Sequence, residues 1–182
     1  AGLPASIPIC PSGTLLLGSP IGSDDFILSH ARKTISSIID DCNTSSFFLS
    51  RHLDFIITSK STCHRINYLL RSIPFFSSLA LSDALLELDL ALRSATNRSC
   101  LHSLSDLNWR VAQLPPSSGG LGIRAPSSFS RDAFLASFTS ASIQIAHLLP
   151  AFSHLFPDFT TSPSSPSSFP HRSLLACSAL HR

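Results

Sequence analysis

The stretch LALSDALLELDLALRSA, residues 79–95, decides the fold class. Its apolar residues recur every three or four positions, the period of one helix face; they are Leu81, Leu85, Leu88, Leu92 and Ala95. On the other side Asp83 precedes Glu87 by four residues, and Asp89 precedes Arg93 by four. This spacing predicts a water-facing side with an Asp89–Arg93 pair. An amphipathic helix of this length buries its apolar stripe against other helices, so it predicts a mainly α protein.

The segments on the N-terminal side of this helix show the same period. Ser23 is a typical helix cap, and Asp24 and Asp25 follow it in the first turn, where the dipole favours negative charge. This helix is predicted to reach about Asp40, with an apolar side formed by Ile27, Ala31, Ile35 and Ile38. A second helix is predicted with Leu49, Leu53, Ile56 and Ile57 on one side and Ser50, Arg51, Asp54 and Thr58 on the other. A third segment, stopped by Pro74, has the periodic set Cys63, Ile66, Leu70 and Ile73.

Two helices are predicted on the C-terminal side. A short one covers about residues 104–111, and a longer one has the apolar positions Phe134, Phe138, Ala141, Ile145 and Leu148. At the other end of the chain, TLLLGSPIG (residues 14–22) is typical of a short strand ended by a Gly-Ser-Pro turn. The segment TTSPSSPSSFP (residues 160–170) is of low complexity and predicts a mobile linker.

These segments together predict a mainly α fold, a bundle of about five amphipathic helices with a short N-terminal strand and a disordered Ser/Pro-rich tail. We expect an N-terminal segment over residues 1–22 and a helical domain over residues 23–157. Residues 158–182 are expected to form a low-complexity linker and tail.

Composition limits the class of protein. The chain has 182 residues, of which 43% are apolar and 13% charged, so it can bury a sizeable core. A net charge of +2 is too small to indicate a partner. The five cysteines, Cys10, Cys42, Cys63, Cys100 and Cys177, are odd in number and widely spaced, which indicates reduced, mostly buried thiols. With no evident signal peptide or apolar run of about 20 residues, an intracellular location in nucleus or cytoplasm is favoured over secretion. The absence of methionine and the start AGLPASIPIC lead us to expect a fragment or a processed piece.

No residue pattern predicts a catalytic or metal site. Asp24-Asp25 and Asp40-Asp41 could hold Mg²⁺ as paired carboxylates, but both pairs fall where helix ends are expected. Cys63-His64 and Cys100-x-His102 lack the spacing of zinc ligands. A Ser-His-Asp hydrolase has no supporting G-x-S-x-G elbow. We therefore predict no catalytic residues, metal or cofactor in this chain.

The segment LPPSSGGLGIR, residues 114–124, is rich in proline and glycine. Its glycines could bring backbone amides close to a phosphate. However, it matches neither the dinucleotide fingerprint nor the P-loop pattern. A sharp turn between two helices explains the same residues and is the favoured interpretation.

One basic stripe is a candidate for nucleic-acid contact. Lys60, His64, Tyr68 and Arg71 recur at steps of four, four and three, and Arg65 lies beside them. A cationic row with an aromatic ring can follow a phosphate backbone and stack on a base. An ordinary solvated helix face explains the same pattern, and spacing alone does not separate the two.

Three segments in order resemble a known family. They are LLLGSPIG (residues 15–22), HRINYLLRSIP (residues 64–74) and AQLPPSSGGLGIRAPSSFSRDAFLAS (residues 112–137). Together, over about residues 13–156, they resemble the thumb-like region that follows the catalytic palm in reverse transcriptases of non-LTR retrotransposons. In that family the first segment closes the palm, the second lies in the helical part, and the third forms a turn before an Ala-rich helix.

The chain also departs from this family in the residues that carry catalysis. It lacks the aromatic-Ala-Asp-Asp strand and the fingers and palm, so Mg²⁺ is implied only for a palm that is absent here. The resemblance therefore implies a catalytically incomplete remnant of an RNA-directed DNA polymerase, not an enzyme on its own. It would at most bind a DNA or RNA duplex or hybrid weakly, and the residues expected to do so are Lys60, Arg65, Tyr68, Arg71 and Arg124. The alternative is a helical protein-interaction module whose apolar surface the missing palm or another protein would cover.

Overall fold

The computed structural model describes residues 12–44 and 50–148. The helices are α1 (Asp24–Thr44), α2 (Arg51–Lys60), α3 (Asn67–Ser72), α4 (Leu79–Cys100), α5 (Asp106–Ala112) and α6 (Pro126–Leu148). A two-stranded antiparallel sheet, β1 (Gly13–Leu16) and β2 (Ser19–Gly22), precedes them. The predicted mainly α bundle with a short β element at its N-terminal side is confirmed. Leu49 and the Ser/Pro-rich tail lie outside the described residues.

Helix α4 lies at the centre of the core, and the side of α4 that faces the core is the one that its sequence predicts. All five residues of its apolar stripe are buried, and they pack with α1, α2 and α6. The buried residues that α1 contributes are Ala31, Ile35, Ile38 and Cys42. Each fully buried Leu or Ile contributes about 1.5–3 kcal/mol relative to an exposed position, so this cluster dominates the stability of the bundle.

Helix α2 presents a different side to the core from the one that its sequence predicts. Its polar residue Asp54 is only 3% exposed and Thr58 is buried, whereas Leu53 is 49% and Ile56 38% exposed. The cause is an ion pair with α4, in which the Arg98 Nε and Nη2 atoms donate to the two Asp54 carboxylate oxygens at 3.2 and 3.3 Å. A buried carboxylate must be paired, so this interaction decides which side of α2 faces inward.

Further hydrogen bonds complete the surroundings of this ion pair. The Ser99 hydroxyl donates to Asp54 Oδ2 at 2.9 Å, and Arg98 Nη2 also donates to the Cys42 carbonyl oxygen at 2.7 Å. Asp54 and Arg98 therefore join the C-terminal part of α1 to α2 and α4. Helical periodicity does not predict which charged residues of two different helices form an ion pair, so the sequence alone does not indicate this interaction.

The chain between residues 60 and 72 is interrupted. Helix α2 ends at Lys60, a 3₁₀ turn spans Thr62–His64, and α3 begins at Asn67. The backbone of Ser61, at φ −120° and ψ −66°, leaves the α conformation at the break. The four predicted apolar residues of this segment are nevertheless buried, namely Cys63, Ile66, Leu70 and Ile73.

The predicted short strand is one half of a hairpin. The turn lies at Leu17 and Gly18, with φ values of 51° and 84°, and the predicted turn residues Ser19 and Pro20 belong to β2. Positive φ at both central residues is typical of the tight hairpin turns that match strand twist. Four apolar side chains of this hairpin are exposed, namely Leu15, Leu16, Leu17 and Ile21.

The predicted Asp89–Arg93 pair does not form. Arg93 pairs with Asp106 instead, at 2.9 Å, and donates to the Leu104 carbonyl at 2.7 Å. Asp89 accepts hydrogen bonds from the backbone amide and hydroxyl of Ser127, in the first turn of α6. The first amides of a helix have no acceptors within that helix. The Asp89 carboxylate of α4 therefore caps the N-terminus of α6, in place of a residue next to α6 in sequence.

Helix α6 packs through its N-terminal half. Phe129 and Ala133 contact the main core, and the Phe134 ring lies edge-on to Phe76 with centroids 5.7 Å apart. The stripe predicted further along is wrong at Ala141 and Leu148, which are exposed. The core contacts of α6 lie nearer its start, so these positions are left in solvent.

Candidate nucleic-acid interface

Three cationic or titratable side chains line one cleft, and one of them, Arg124, is about 60 residues from the other two in sequence. Lys60 is the last residue of α2, His64 ends the 3₁₀ turn, and Arg124 lies just before α6. The cleft has a volume of about 280 Å³, and all three residues are exposed. Arg124, which the sequence placed apart from the basic stripe, therefore belongs with Lys60 and His64.

The loop at residues 114–124 forms one wall of this cleft. Pro115, Pro116 and Gly122 line it together with Phe129 from α6. The loop is held in place by Ile123, which is fully buried in a second small core with Trp109. A rigid apolar wall therefore faces the same space as the cations.

The glycines of this loop serve the turn itself. The amides of Gly119, Gly120, Leu121 and Gly122 all donate to carbonyl oxygens of residues 112–116. A Cβ on Gly120 would lie 2.0 Å from the Leu114 carbonyl oxygen, so no other residue fits there without a shift. The predicted turn is confirmed, and these four amides have acceptors within the protein rather than being directed at a phosphate.

The orientation of His64 is set by a neighbour. Asn67 Nδ2 lies 3.2 Å from His64 Nδ1. With the Asn67 amide in this orientation its NH₂ group faces Nδ1, which corresponds to the imidazole tautomer that carries its proton on Nε2. His64 consequently offers an N–H donor from the rim of the cleft.

Arg65 does not belong to the cleft. Its guanidinium forms an ion pair with Asp41 of α1 and donates to Ser37 Oγ at 3.4 Å. Because Asp41 compensates its charge, Arg65 is a weaker candidate for a phosphate contact than the sequence predicted. The same contact corrects the expectation that Asp41 is simply a solvated helix end.

Tyr68 and Arg71 lie on α3, beyond the interruption of the helix. Tyr68 is half exposed, and a Cβ on Gly18 of the hairpin turn would lie 3.7 Å from its ring. Arg71 is exposed and forms no ion pair within residues 12–44 and 50–148. The predicted single stripe is wrong because residues 60–71 are not one continuous helix.

The described cysteines, Cys42, Cys63 and Cys100, form no disulfide with one another. Cys42 and Cys63 are buried as predicted, and burial raises the pKa of each thiol to about 11. Cys100 is exposed, so two of the three described cysteines are buried. Cys10 and Cys177 lie outside the described residues.

Comparisons with known proteins give no match, whether with family models, curated proteins or solved structures. Within the described part of the chain, no helix has the length and apolar character needed to cross a membrane. In the same residues, no three His, Cys, Asp or Glu side chains cluster in a way that could hold a metal ion.

Proposed function

We propose that this chain is a catalytically incomplete remnant of a retroelement RNA-directed DNA polymerase that binds nucleic-acid backbone weakly and without sequence preference. The ancestry rests on the three ordered segments of the sequence. The binding rests on one observation, the meeting of Lys60, His64 and Arg124 at one cleft. Arg71 and Tyr68 are exposed on α3 outside the cleft lining and are further candidate contacts.

The chemistry of these side chains suits phosphate. Neither Lys60 nor Arg124 forms an ion pair with any residue in the described ranges, so both charges are available to a ligand. Arginine and lysine contacts to phosphate supply affinity without reading base sequence. With a net charge of only +2, we expect a dissociation constant of about 10⁻⁴ M or weaker at physiological salt.

The test is the salt dependence of binding. Fluorescence anisotropy of labelled duplex, RNA–DNA hybrid and single strands would be followed at several salt concentrations. Changing Lys60→Ala and Arg124→Ala together should reduce the magnitude of the slope of log K against log salt by about 1.4–1.8, since each phosphate contact contributes about 0.7–0.9.

A matched control removes the same charges elsewhere. Arg32 and Lys33 are exposed on α1, so the double change Arg32→Ala and Lys33→Ala alters net charge equally without touching the cleft. If the two double variants bind alike, the cleft cations have no special role and the proposal is wrong. Primer extension with Mg²⁺ or Mn²⁺ should give no product with any of these proteins.

A helical protein-interaction module is the second candidate. The hairpin supports it, because Leu15, Leu16, Leu17 and Ile21 are exposed and Leu17 is 89% accessible. An apolar patch of this kind is common at protein interfaces. Replacing Leu16 and Leu17 with Ser should then abolish association with a palm-containing partner while leaving salt-dependent nucleic-acid binding unchanged, as measured by sedimentation and anisotropy.

A further inference from the structure

We propose that the cleft receives one unpaired nucleotide, with its phosphate on Lys60 and Arg124 and its base against Phe129. This inference rests on the proposed nucleic-acid function and narrows it to single-stranded ligands. The observation behind it is that one cleft is lined both by cations and by an aromatic ring with two prolines.

Phe129 is placed to act as a stacking surface. It lines the cleft and also packs against the main core, so its ring is held from behind. Stacking of bases on aromatic side chains is the common mode of single-strand recognition, and it tolerates any base because every base has a π face. Tyr68, the residue that the sequence suggested for stacking, does not line this cleft.

The size of the cleft also favours a single nucleotide. At about 280 Å³ it lies just below the range of about 300–1,000 Å³ that is typical of sites for drug-sized molecules. A duplex could bring its phosphates to Lys60 and Arg124, but its base faces are stacked on one another and cannot reach Phe129. Extruding a base would cost a few kcal/mol, so an already unpaired strand is favoured.

His64 adds a directed donor to this arrangement. In the tautomer that carries its proton on Nε2 and accepts from Asn67 at Nδ1, the His64 ring can donate to a phosphate oxygen or to a base carbonyl. The site thus combines positive charge, a hydrogen-bond donor and an aromatic face.

The test compares strands that differ only in pairing and in bases. The full chain would be titrated with labelled dT12, with an abasic strand of equal length, and with a hairpin duplex of equal phosphate number. We expect dT12 to bind at least about 5-fold more tightly than the other two, the lower limit for one stacked base. Equal affinity of the native chain for dT12 and the abasic strand would overturn the inference whatever the variants do.

Two matched variants assign the effect to the ring. Phe129→Leu should abolish the preference for dT12, whereas Phe134→Leu, on the same helix but outside the cleft lining, should keep it. Circular dichroism would verify that both remain helical. If the Phe129→Leu variant keeps the preference for dT12, the inference is wrong. If the double change Lys60→Ala and Arg124→Ala nevertheless weakens binding of all three strands, the proposed function stands without the inference.

A last measurement separates a strand from a free nucleotide. Adenosine 5′-monophosphate and ribose 5-phosphate would be titrated while the amide signals of Gly122 and Arg124 are followed by NMR. Shifts with the nucleotide and not with the sugar phosphate would support a site that also accepts free nucleotides. Saturation by ribose 5-phosphate at the same concentration would show a phosphate site only and overturn the role of the base.

Discussion

Helices α4 and α2 pack against each other, and their sequences predict them with very different success. In α4 every residue of the apolar stripe is buried, from Leu81 to Ala95. In α2 two residues of the predicted polar side, Asp54 and Thr58, are buried, and Leu53 and Ile56 face solvent. Helix α4 has 22 residues, so its apolar period repeats several times and indicates one buried side clearly. Helix α2 has only 10 residues, and the Asp54–Arg98 ion pair competes with its apolar period. Periodicity therefore decides orientation only where no buried charge overrides it.

The largest effect is expected in the interior of α4. Leu88→Ala should lower the free energy of unfolding by about 2–5 kcal/mol, because it leaves a cavity at a fully buried position. Leu90→Ala on the exposed side of the same helix is the matched control, with a change of about 0.5 kcal/mol or less. Urea unfolding followed by circular dichroism measures both, and equal losses would contradict the assigned face of α4.

The next effect tests the inverted face of α2. Asp54→Ala should cost about 3 kcal/mol, because the partly buried Arg98 loses its carboxylate partner. The double variant Asp54→Ala with Arg98→Met should recover part of that loss, since the uncompensated charge is gone. A double-mutant cycle with no coupling would mean that the ion pair does not set the orientation of α2.

A smaller effect is expected at Asp89, a polar residue of α4. Asp89→Ala should cost about 1 kcal/mol, as for a lost helix cap, whereas Asp89→Asn keeps an acceptor for the Ser127 amide and should cost less. Unfolding of the three proteins at neutral pH would rank them, and an Ala variant as stable as the parent would contradict the capping role.

The pH dependence of Asp89 follows from its burial. Desolvation raises the pKa of this carboxyl above its ordinary value, although hydrogen bonds from Ser127 oppose the shift. Protonation is therefore easier in the folded than in the unfolded state, and the resulting stabilisation is present at low pH and lost as pH rises through the raised pKa. Relative to Asp89→Asn, the parent should gain stability as pH falls from neutral towards about 4. A loss of stability of the parent relative to Asp89→Asn as pH falls would show that the hydrogen bonds from Ser127 outweigh the effect of burial.

The smallest effect belongs to the exposed side of α2. Leu53→Ser and Ile56→Ser should each change the free energy of unfolding by about 0.5 kcal/mol or less, despite replacing large apolar residues. The same measurement on Leu85→Ser in α4 provides the contrast, since that side chain is buried. Losses at Leu53 comparable to that at Leu85 would restore the orientation predicted from the sequence.

Sequence reasoning reached the fold class and most of the core, because burial in long helices leaves a repeating pattern. It also reached the turn at residues 114–124, since Gly120 has no room for a side chain. It could not assemble the cleft. Lys60 and Phe129 are brought together because α2 and α6 both pack against α4, and no local spacing encodes that distance. The ion pair between Arg65 and Asp41 could not be predicted either, because it also depends on packing between segments that are distant in sequence.

The Asp54–Arg98 interaction also has a kinetic consequence. It joins residues 44 positions apart, and the bond from Arg98 to the Cys42 carbonyl spans 56. Contacts this distant require loop closure before they can form, so we expect them to form late in folding. Helix α4 can form locally beforehand, but the register of α2 is fixed only when the carboxylate meets the guanidinium. Loss of Asp54 should therefore mainly accelerate unfolding and leave the refolding rate nearly unchanged, the signature of an interaction completed after the transition state.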